Sequence, residues 1–311
     1  MRISTERPDR LSDEVFDIAI CCLGYESRAT RVPMVFYRRS RRRICLGFDR
    51  NLIHSYEANL TYFEQHQFEI HASVKDEAFE STVRGVLGDE LFNGPPGDER
   101  RVAVDISCFD RFRLAILVKL LWTALAERRL SDLVFFYNVA EYNKPAEVFS
   151  FNTKLEPVHP SFVGSRPDPL SATVAVIGLG YEREKALGAA EYIEASEVFA
   201  FSPRSSVVAY AKSVAEENAL LLAQLDERHK FEYVVEDCGA LVSDLSSLVR
   251  GVVHRASVLL VPLGPKVFAL ACLLTAMIHD RVAVWRMSQL GIGETPDRRA
   301  SEHYSVVRVT R

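Results

Sequence analysis

The sequence predicts an α/β fold of two tandem units, each with a mostly parallel sheet, and three observations carry that expectation. Apolar runs of strand length alternate with longer stretches of helical spacing along the whole chain. The first such run in each half ends in the same turn, Leu-Gly-Tyr-Glu, at residues 23–26 and again at 179–182. The length, 311 residues, is long for one domain and sufficient for two of about 130 to 150 residues, each able to bury its own core.

Residues 1–14 are polar and read as a lead-in. Residues 15–23 form a continuous apolar run, the pattern of a strand buried on both faces, and the glycine turn and Arg28 follow it. A stretch at 31–37 leads into the run Arg38, Arg39, Arg41, Arg42 and Arg43, which reads either as a solvated face or as a phosphate-attracting patch. A second strand at 44–48 ends at Asp49 and Arg50, a helix fits 54–67, and 68–74 alternates as a strand does. Residues 76–91 are helical in spacing and close on the loop Asn93-Gly-Pro-Pro-Gly97. The strand at 101–106 runs into Asp105-Ile-Ser-Cys-Phe-Asp-Arg111, a nearly all-apolar helix fits 112–127, and a strand at 133–139 ends near Asn138, Glu141 and Tyr142.

Residues 144–170 hold Pro145, Pro157, Pro160, Pro167 and Pro169 and read as the linker, so that the first unit is 1–143 and the second 171–311. The second half repeats the order of the first. Its strands are expected at 173–177, 197–201, 231–236, 257–262 and 281–286, its helices at 183–193, 207–225, 240–254 and 267–278, and its tail from 288 holds Gly291, Gly293 and Pro296. The repeated order and the repeated turn together predict an internal duplication of one Rossmann-like unit.

Composition narrows the functional classes. Hydrophobic residues make up 48% and charged residues 26%, the balance of a folded globular chain, and a formal charge of −4 argues for neither an acidic nor a basic partner. No apolar run reaches the roughly 18 residues of a membrane span and the first ten residues are too polar for a secretory segment, so a cytoplasmic protein without a membrane partner is expected. The six cysteines, Cys21, Cys22, Cys45, Cys108, Cys238 and Cys272, lie in or beside apolar runs without Cys-x-x-Cys spacing, and read as reduced, buried side chains. The eight histidines are scattered, and no metal site is expected.

Ligands of open parallel sheets bind beyond the carboxyl ends of the strands, near the point where strand order reverses, and a glycine turn there offers backbone N–H groups to an anion. In the first unit those ends hold Gly24, Tyr25, Glu26, Arg28, Asp105, Ser107 and Arg111; in the second they hold Gly180, Tyr181, Glu182, Arg183, Arg204, Gly264 and Lys266. Gly178-x-Gly180 invites comparison with the dinucleotide fingerprint, but the third glycine is missing from both copies and Ser202-Pro-Arg204 stands where the ribose-binding acid belongs. Leu263-Gly-Pro-Lys266 before an apolar helix sets a cation beside helix N–H groups, an arrangement suited to phosphate, although a solvent-facing lysine after a turn reads equally well. Asp105, Asp110 and Glu26 and the pair Glu236-Asp237 are possible acids and bases, and such residues also cap helices. Ser107 has no histidine in a comparable position, which argues against a hydrolytic triad.

A strand, a polar turn at Asp105-Ile-Ser or Gly264-Pro-Lys, and then a long apolar helix resembles the CRISPR-associated Rossmann-like (CARF) sensor domains, in which that turn contacts a cyclic oligonucleotide. The likeness covers about a third of each half; the longer Thr/Gly-rich form of the turn and an effector nuclease domain are absent. It implies a nucleotide-sensing module of prokaryotic antiviral defence, with Ser107 and Lys266 at the matching positions. The leading expectation is therefore binding of a nucleotide or other phosphorylated ligand by a sensor or regulatory subunit, alone or with a partner protein or second copy. A nucleotide-processing enzyme, and a nucleic-acid-binding subunit using Arg38 to Arg43, are the alternatives.

Overall fold

In the computed structural model, which describes residues 1–11, 13–36, 39–93, 100–144, 152–165, 171–289 and 296–311, the alternating pattern becomes two α/β units. The first contains β1 (Arg2–Glu6), β2 (Phe16–Leu23), a short 3-10 turn (Ser27–Thr30), α1 (Pro33–Phe36), β3 (Ser40–Phe48), α2 (Tyr56–Gln65), β4 (Glu69–Val74), α3 (Asp76–Leu87), β5 (Arg100–Asp105), α4 (Arg111–Ala126) and β6 (Leu130–Ala140). The second contains β7 (Asn152–Pro157), β8 (Ala172–Gly178), α5 (Lys185–Ile193), β9 (Glu197–Arg204), α6 (Ala209–Glu217), α7 (Ala219–Gln224), β10 (Lys230–Val234), α8 (Cys238–Val252), β11 (Ala256–Pro262), α9 (Lys266–Ile278) and β12 (Val282–Gln289). A last strand, β13 (Ala300–Thr310), returns to the first sheet.

The first sheet runs β1-β13-β6-β5-β2-β3-β4 and the second β10-β9-β8-β11-β12-β7. Five strands of each share one order, β4-β3-β2-β5-β6 in the first and β10-β9-β8-β11-β12 in the second, all parallel. An antiparallel strand then closes the β6 or β12 side, β13 in the one and β7 in the other. Both units are thus Rossmann-like, with strand order reversing between β2 and β5 and between β8 and β11. The first strand after the lead-in of each half holds the same place with the same neighbours, as a duplication of one unit requires.

The unit boundaries differ from the linker expectation. The compact units are Met1–Glu141 with Thr295–Arg311, and Tyr142–Glu294. The proline-rich stretch supplies β7, whose Lys154 to Pro157 pair with Ser288 to Trp285, so Pro157 ends a sheet strand and Pro160 opens a 3-10 turn. Pro145, Pro167 and Pro169, the loop glycines and prolines at 94–97, and Gly291 and Gly293 lie outside the described residues. The tail expected after 288 contains β13, whose Tyr304 to Thr310 pair with Asn138 to Asp132 of β6. The helix expected over 207–225 is two helices that meet at Asn218.

Two helices lie behind the sheets with apolar residues on every side, because they are covered on every side. In α4 Leu114 to Val118, Leu120, Leu121, Ala124 and Leu125 are buried, and in α9 every residue from Val267 to Thr275 is buried. Among the described residues no helix is long and apolar enough to cross a membrane.

Arg113 of α4 is fully buried, yet it holds the carboxyl ends of two strands. Its guanidinium donates to the Gly47 carbonyl of β3 at 2.9 Å and to the Val74 carbonyl of β4, and pairs with Asp76 at 2.9 Å. Phe48 and Phe79 stack on it with ring centroids 3.8 and 4.8 Å away. Burial pushes the Asp76 carboxyl up, but hydrogen bonds from Arg50 and Arg113 outweigh that and hold it below the ordinary carboxylate value. A lowered folded-state pKa stabilises above the unfolded carboxylate value, and this stability is lost as the pH falls through the folded one. Replacing Arg113 by alanine removes this donor from two strand-end carbonyls and leaves Asp76 with Arg50 alone, at 2.8 Å. We expect Arg113→Ala to cost about 3 kcal/mol in urea unfolding at pH 7, the low end for a broken buried pair because Asp76 is one-quarter exposed. The deficit should shrink on acidification below pH 4.

Candidate functional site

The carboxyl edge of the first sheet is occupied by a network of side chains. After β2 the chain turns at Gly24, where a Cβ would lie 3.1 Å from that of Cys108, so the turns after β2 and β5 approach closely at the order reversal. Asn59 of α2 donates from its amide to the carbonyls of Gly24 and Glu26, at 2.8 and 2.9 Å, and pins the turn. Glu26 and Arg28, 5% and 2% exposed, pair at 2.6 Å. The same guanidinium donates to the carbonyls of Asn138 and Ser107, at 2.7 and 3.0 Å. Burial works against the Arg28 charge, but Glu26 overrides it and raises the pKa well above its ordinary value.

Ser107 and Asp105 are equally enclosed. The Ser107 N–H donates to the Asp105 carboxylate at 2.9 Å, its hydroxyl accepts from the Asn138 N–H at 2.9 Å, and the Asn138 amide donates to Ser301 and His303 of β13. Glu26, Arg28, Asp105 and Ser107 therefore tie β2, β5, β6 and β13 together. Of the residues expected at this edge, Tyr25 and Arg111 keep partial exposure; so does Cys108, which was expected to be buried. Burial, reinforced by Glu26, pushes the Tyr25 phenol up to about 12, so it stays protonated at neutral pH.

The second sheet presents a different edge. A Cβ on Gly180 would lie 2.9 Å from the Leu263 carbonyl oxygen, and one on Gly264 would lie 2.4 Å from that of Leu179. The turns after β8 and β11 thus cross backbone against backbone, which only glycine permits. Gly178 answers a packing need, since a Cβ there would lie 2.3 Å from the Phe268 ring; this explains a Gly-x-Gly without the rest of a dinucleotide fingerprint. Asn218 donates to the Gly180 carbonyl at 2.7 Å and to that of Val214 at 2.8 Å, the counterpart of Asn59. Tyr181 lies among Tyr142 and Tyr210, with ring centroids 5.3 to 6.5 Å apart, and the Tyr142 and Ser213 hydroxyls hydrogen-bond at 2.5 Å.

Strand register fixes which residues correspond. Ile20 pairs with Val104 and Val176 with Leu260, so that Gly24 answers to Gly180, Cys108 to Gly264, and Asp110 to Lys266. Ser107 accordingly stands level with Leu263, not with Lys266. The carboxylate of Asp110 caps α4, accepting from the Arg113 N–H at 2.8 Å. At α9 the cap is Pro265, which brings no side-chain acceptor, and Lys266 is the first helical residue. Where Arg28 stands in the first unit, Glu184 stands in the second, so the Glu182 turn has no buried ion pair: Glu182 is 37% exposed beside Lys185 at 3.6 Å, and Arg183 is 64% exposed. Arg204 pairs with Glu232 of the neighbouring strand at 3.2 Å.

The arginine run expected as a patch lies at the opposite, amino end of β3. Arg41 pairs with Asp17, Arg42 with Glu69 and Glu90, Arg43 donates to the His66 carbonyl and Arg39 to that of Leu11, while Arg38 lies outside the described residues. Asn138 was expected at a strand end of this edge, whereas Asn59 and Asn218 were not foreseen as part of the site. The sequence does hold a sign of these two, an asparagine 35 residues after Gly24 and another 38 after Gly180.

Among the described residues no group of three or more histidine, cysteine or acidic side chains is arranged to hold a metal ion. The chain matches no protein-family model and no curated protein.

No disulfide joins any of the six cysteines, and all but the half-buried Cys108 are buried. Burial pushes the Cys21, Cys45 and Cys238 thiols up, which slows their reaction further. A thiol-exchange reagent should therefore titrate one thiol in the native protein, Cys108, and six in denaturant. A native count above one, or loss of the slow-reacting thiol pool in Cys108→Ser, would contradict this burial pattern.

Proposed function

We propose that the second unit binds a nucleotide or another phosphorylated ligand at the carboxyl edge of its sheet, at the reversal between β8 and β11, and acts as a sensor or regulatory subunit. The observation that carries this reading is the crossing of the Gly180 and Gly264 turns immediately before α9, with Lys266 at its first turn. The glycines bring the two turns together at the start of α9, the 13-residue helix contributes partial positive charge, and Lys266 supplies a full one. Arg183, 64% exposed and 3.7 Å from Glu184, stands on the other turn of the same crossing as a second cation. Tyr181 and the two tyrosines around it, Tyr142 and Tyr210, supply aromatic surface on that edge, as a nucleobase requires.

The resemblance to CARF sensor domains extends the proposal to a cyclic or short oligonucleotide and to antiviral defence. A reducing, cytoplasmic setting fits six cysteines without a disulfide. The nucleic-acid alternative is less well supported, because Arg41, Arg42 and Arg43 spend their donors on neighbours within their own unit. Calorimetry with a panel of mononucleotides, dinucleotides and cyclic oligonucleotides tests the reading. For the tightest binder, Lys266→Ala should weaken affinity by about ten- to a hundredfold, the worth of one charge-assisted contact, with no change in thermal stability. Equal affinities for wild type and Lys266→Ala, or no binder in the panel, would remove the second-unit site.

A further inference from the structure

The three residues before β13 lie across the carboxyl edge of the first sheet. Asp297 accepts through one carboxylate oxygen from the Ser27 N–H of the glycine turn at 2.6 Å, and through the other from the Ser55 hydroxyl at 3.2 Å. Arg298 reaches Glu26 with its guanidinium at 3.4 Å, and its carbonyl accepts from the Arg28 N–H and the Ser27 hydroxyl, both at 3.4 Å. The Arg299 carbonyl accepts from the Glu141 N–H at 2.9 Å. Three consecutive residues thus make contacts to the turn after β2, the loop before α2 and the end of β6.

We propose that residues 297–299 are an autoinhibitory strap, in which the Asp297 carboxylate occupies the oxyanion position of the first unit. The inference rests on the reading that the carboxyl edges of these sheets accept phosphorylated ligands, and it adds a regulation that the second unit lacks. A carboxylate on a turn N–H and a serine hydroxyl reproduces the charge and acceptor pattern of one phosphate edge. The counterpart of Ser27 in the second unit is Arg183, 64% exposed. The two units therefore differ at this position: the first sets the Asp297 carboxylate against the turn, and the second has an exposed arginine there, beside Glu184 at 3.7 Å.

The strap is built to leave. Its strongest bond is a single contact from Asp297, and its ion pair uses an Arg298 side chain that is one-third exposed. β13 itself is anchored independently, paired with β6 from Tyr304 to Thr310 and with β1 from Val306 to Thr310. An oxyanion that takes the Ser27 N–H releases 297–299 and leaves the sheet intact, so that the first unit has two states whose balance the ligand shifts. Only the fraction of molecules with the strap displaced is competent to bind, which lowers the apparent affinity of the wild type.

Amide NMR of the full chain, titrated with inorganic pyrophosphate, tests this. In Asp297→Ala the Ser27 amide should shift with a half-saturation at least about tenfold lower than in wild type. Asp297→Asn, which keeps an acceptor oxygen and loses the charge, should fall between the two, and it carries the test if the alanine variant does not fold. Equal half-saturation in wild type and variants, or a Ser27 amide that never responds, overturns the strap. The Gly264 and Lys266 amides in the same spectra report on the second unit. If they shift alike in all three proteins while Ser27 is silent, the strap falls and the second-unit reading stands. If the Ser27 shift alone appears, the reverse holds.

Discussion

The first unit depends on a guanidinium that has no water to turn to. Arg28 can stay charged inside the protein only if its donors are met, and Glu26, Asn138 and Ser107 meet three of them from three different strand ends. Those partners are therefore fixed in space by one side chain, and they in turn fix Asp105 and the start of β13. Arg113 repeats the device one strand pair further out, on Gly47 and Val74. A unit held this way at its carboxyl edge is rigid where its fold would otherwise leave a crevice. The second unit carries Glu184 where the first has Arg28 and Ala269 where it has Arg113, and its edge is held by backbone contact between glycines.

Two units of one strand order have thus solved the same problem with different chemistry. Charge inside the first binds its strand ends to one another, and the partners are consumed in doing so. Small residues in the second bring the turns together without a buried ion pair, and Lys266, Arg183 and the tyrosines stand at the edge. The asparagines are what the units share. Asn59 and Asn218 each place an amide on the carbonyl of the turn glycine, so the turn has one shape in both whatever stands around it.

Much of this was legible in the sequence, and the remainder was hidden for physical reasons. The parallel strands announce themselves as apolar runs because both faces are covered, and the glycine turns mark where they end. β7 and β13 do not, since each is made by antiparallel pairing with a strand far away in sequence, and neither has a local signature stronger than that of a proline-rich or polar tail. Arg28 was read as reaching for a ligand because arginine is seldom buried, and nothing local to residues 26–28 reveals that Asn138 and Ser107 will enclose it. The arginine run at 38–43 looked like a surface patch because β3 begins inside it, and the acids that pair with it, Asp17, Glu69 and Glu90, come from other elements. Asn218 appeared to sit within one long helix; its amide bonds both turns of a corner, and the helix breaks there.

The placement of β13 bears on how the protein is made. β1 pairs with no strand but β13 among the described residues, and β6 has β13 as its neighbour on that side, so β1 has no partner and β6 an open side until residues 300–310 have been synthesised. The entire second unit precedes those residues and is able to close its own sheet first. During translation the first unit is therefore completed after the second, and the side of β6 waits with its backbone N–H and carbonyl groups unpaired. A ribosome paused within the second unit would hold an open strand edge, and a nascent chain of this design has reason to need a chaperone there.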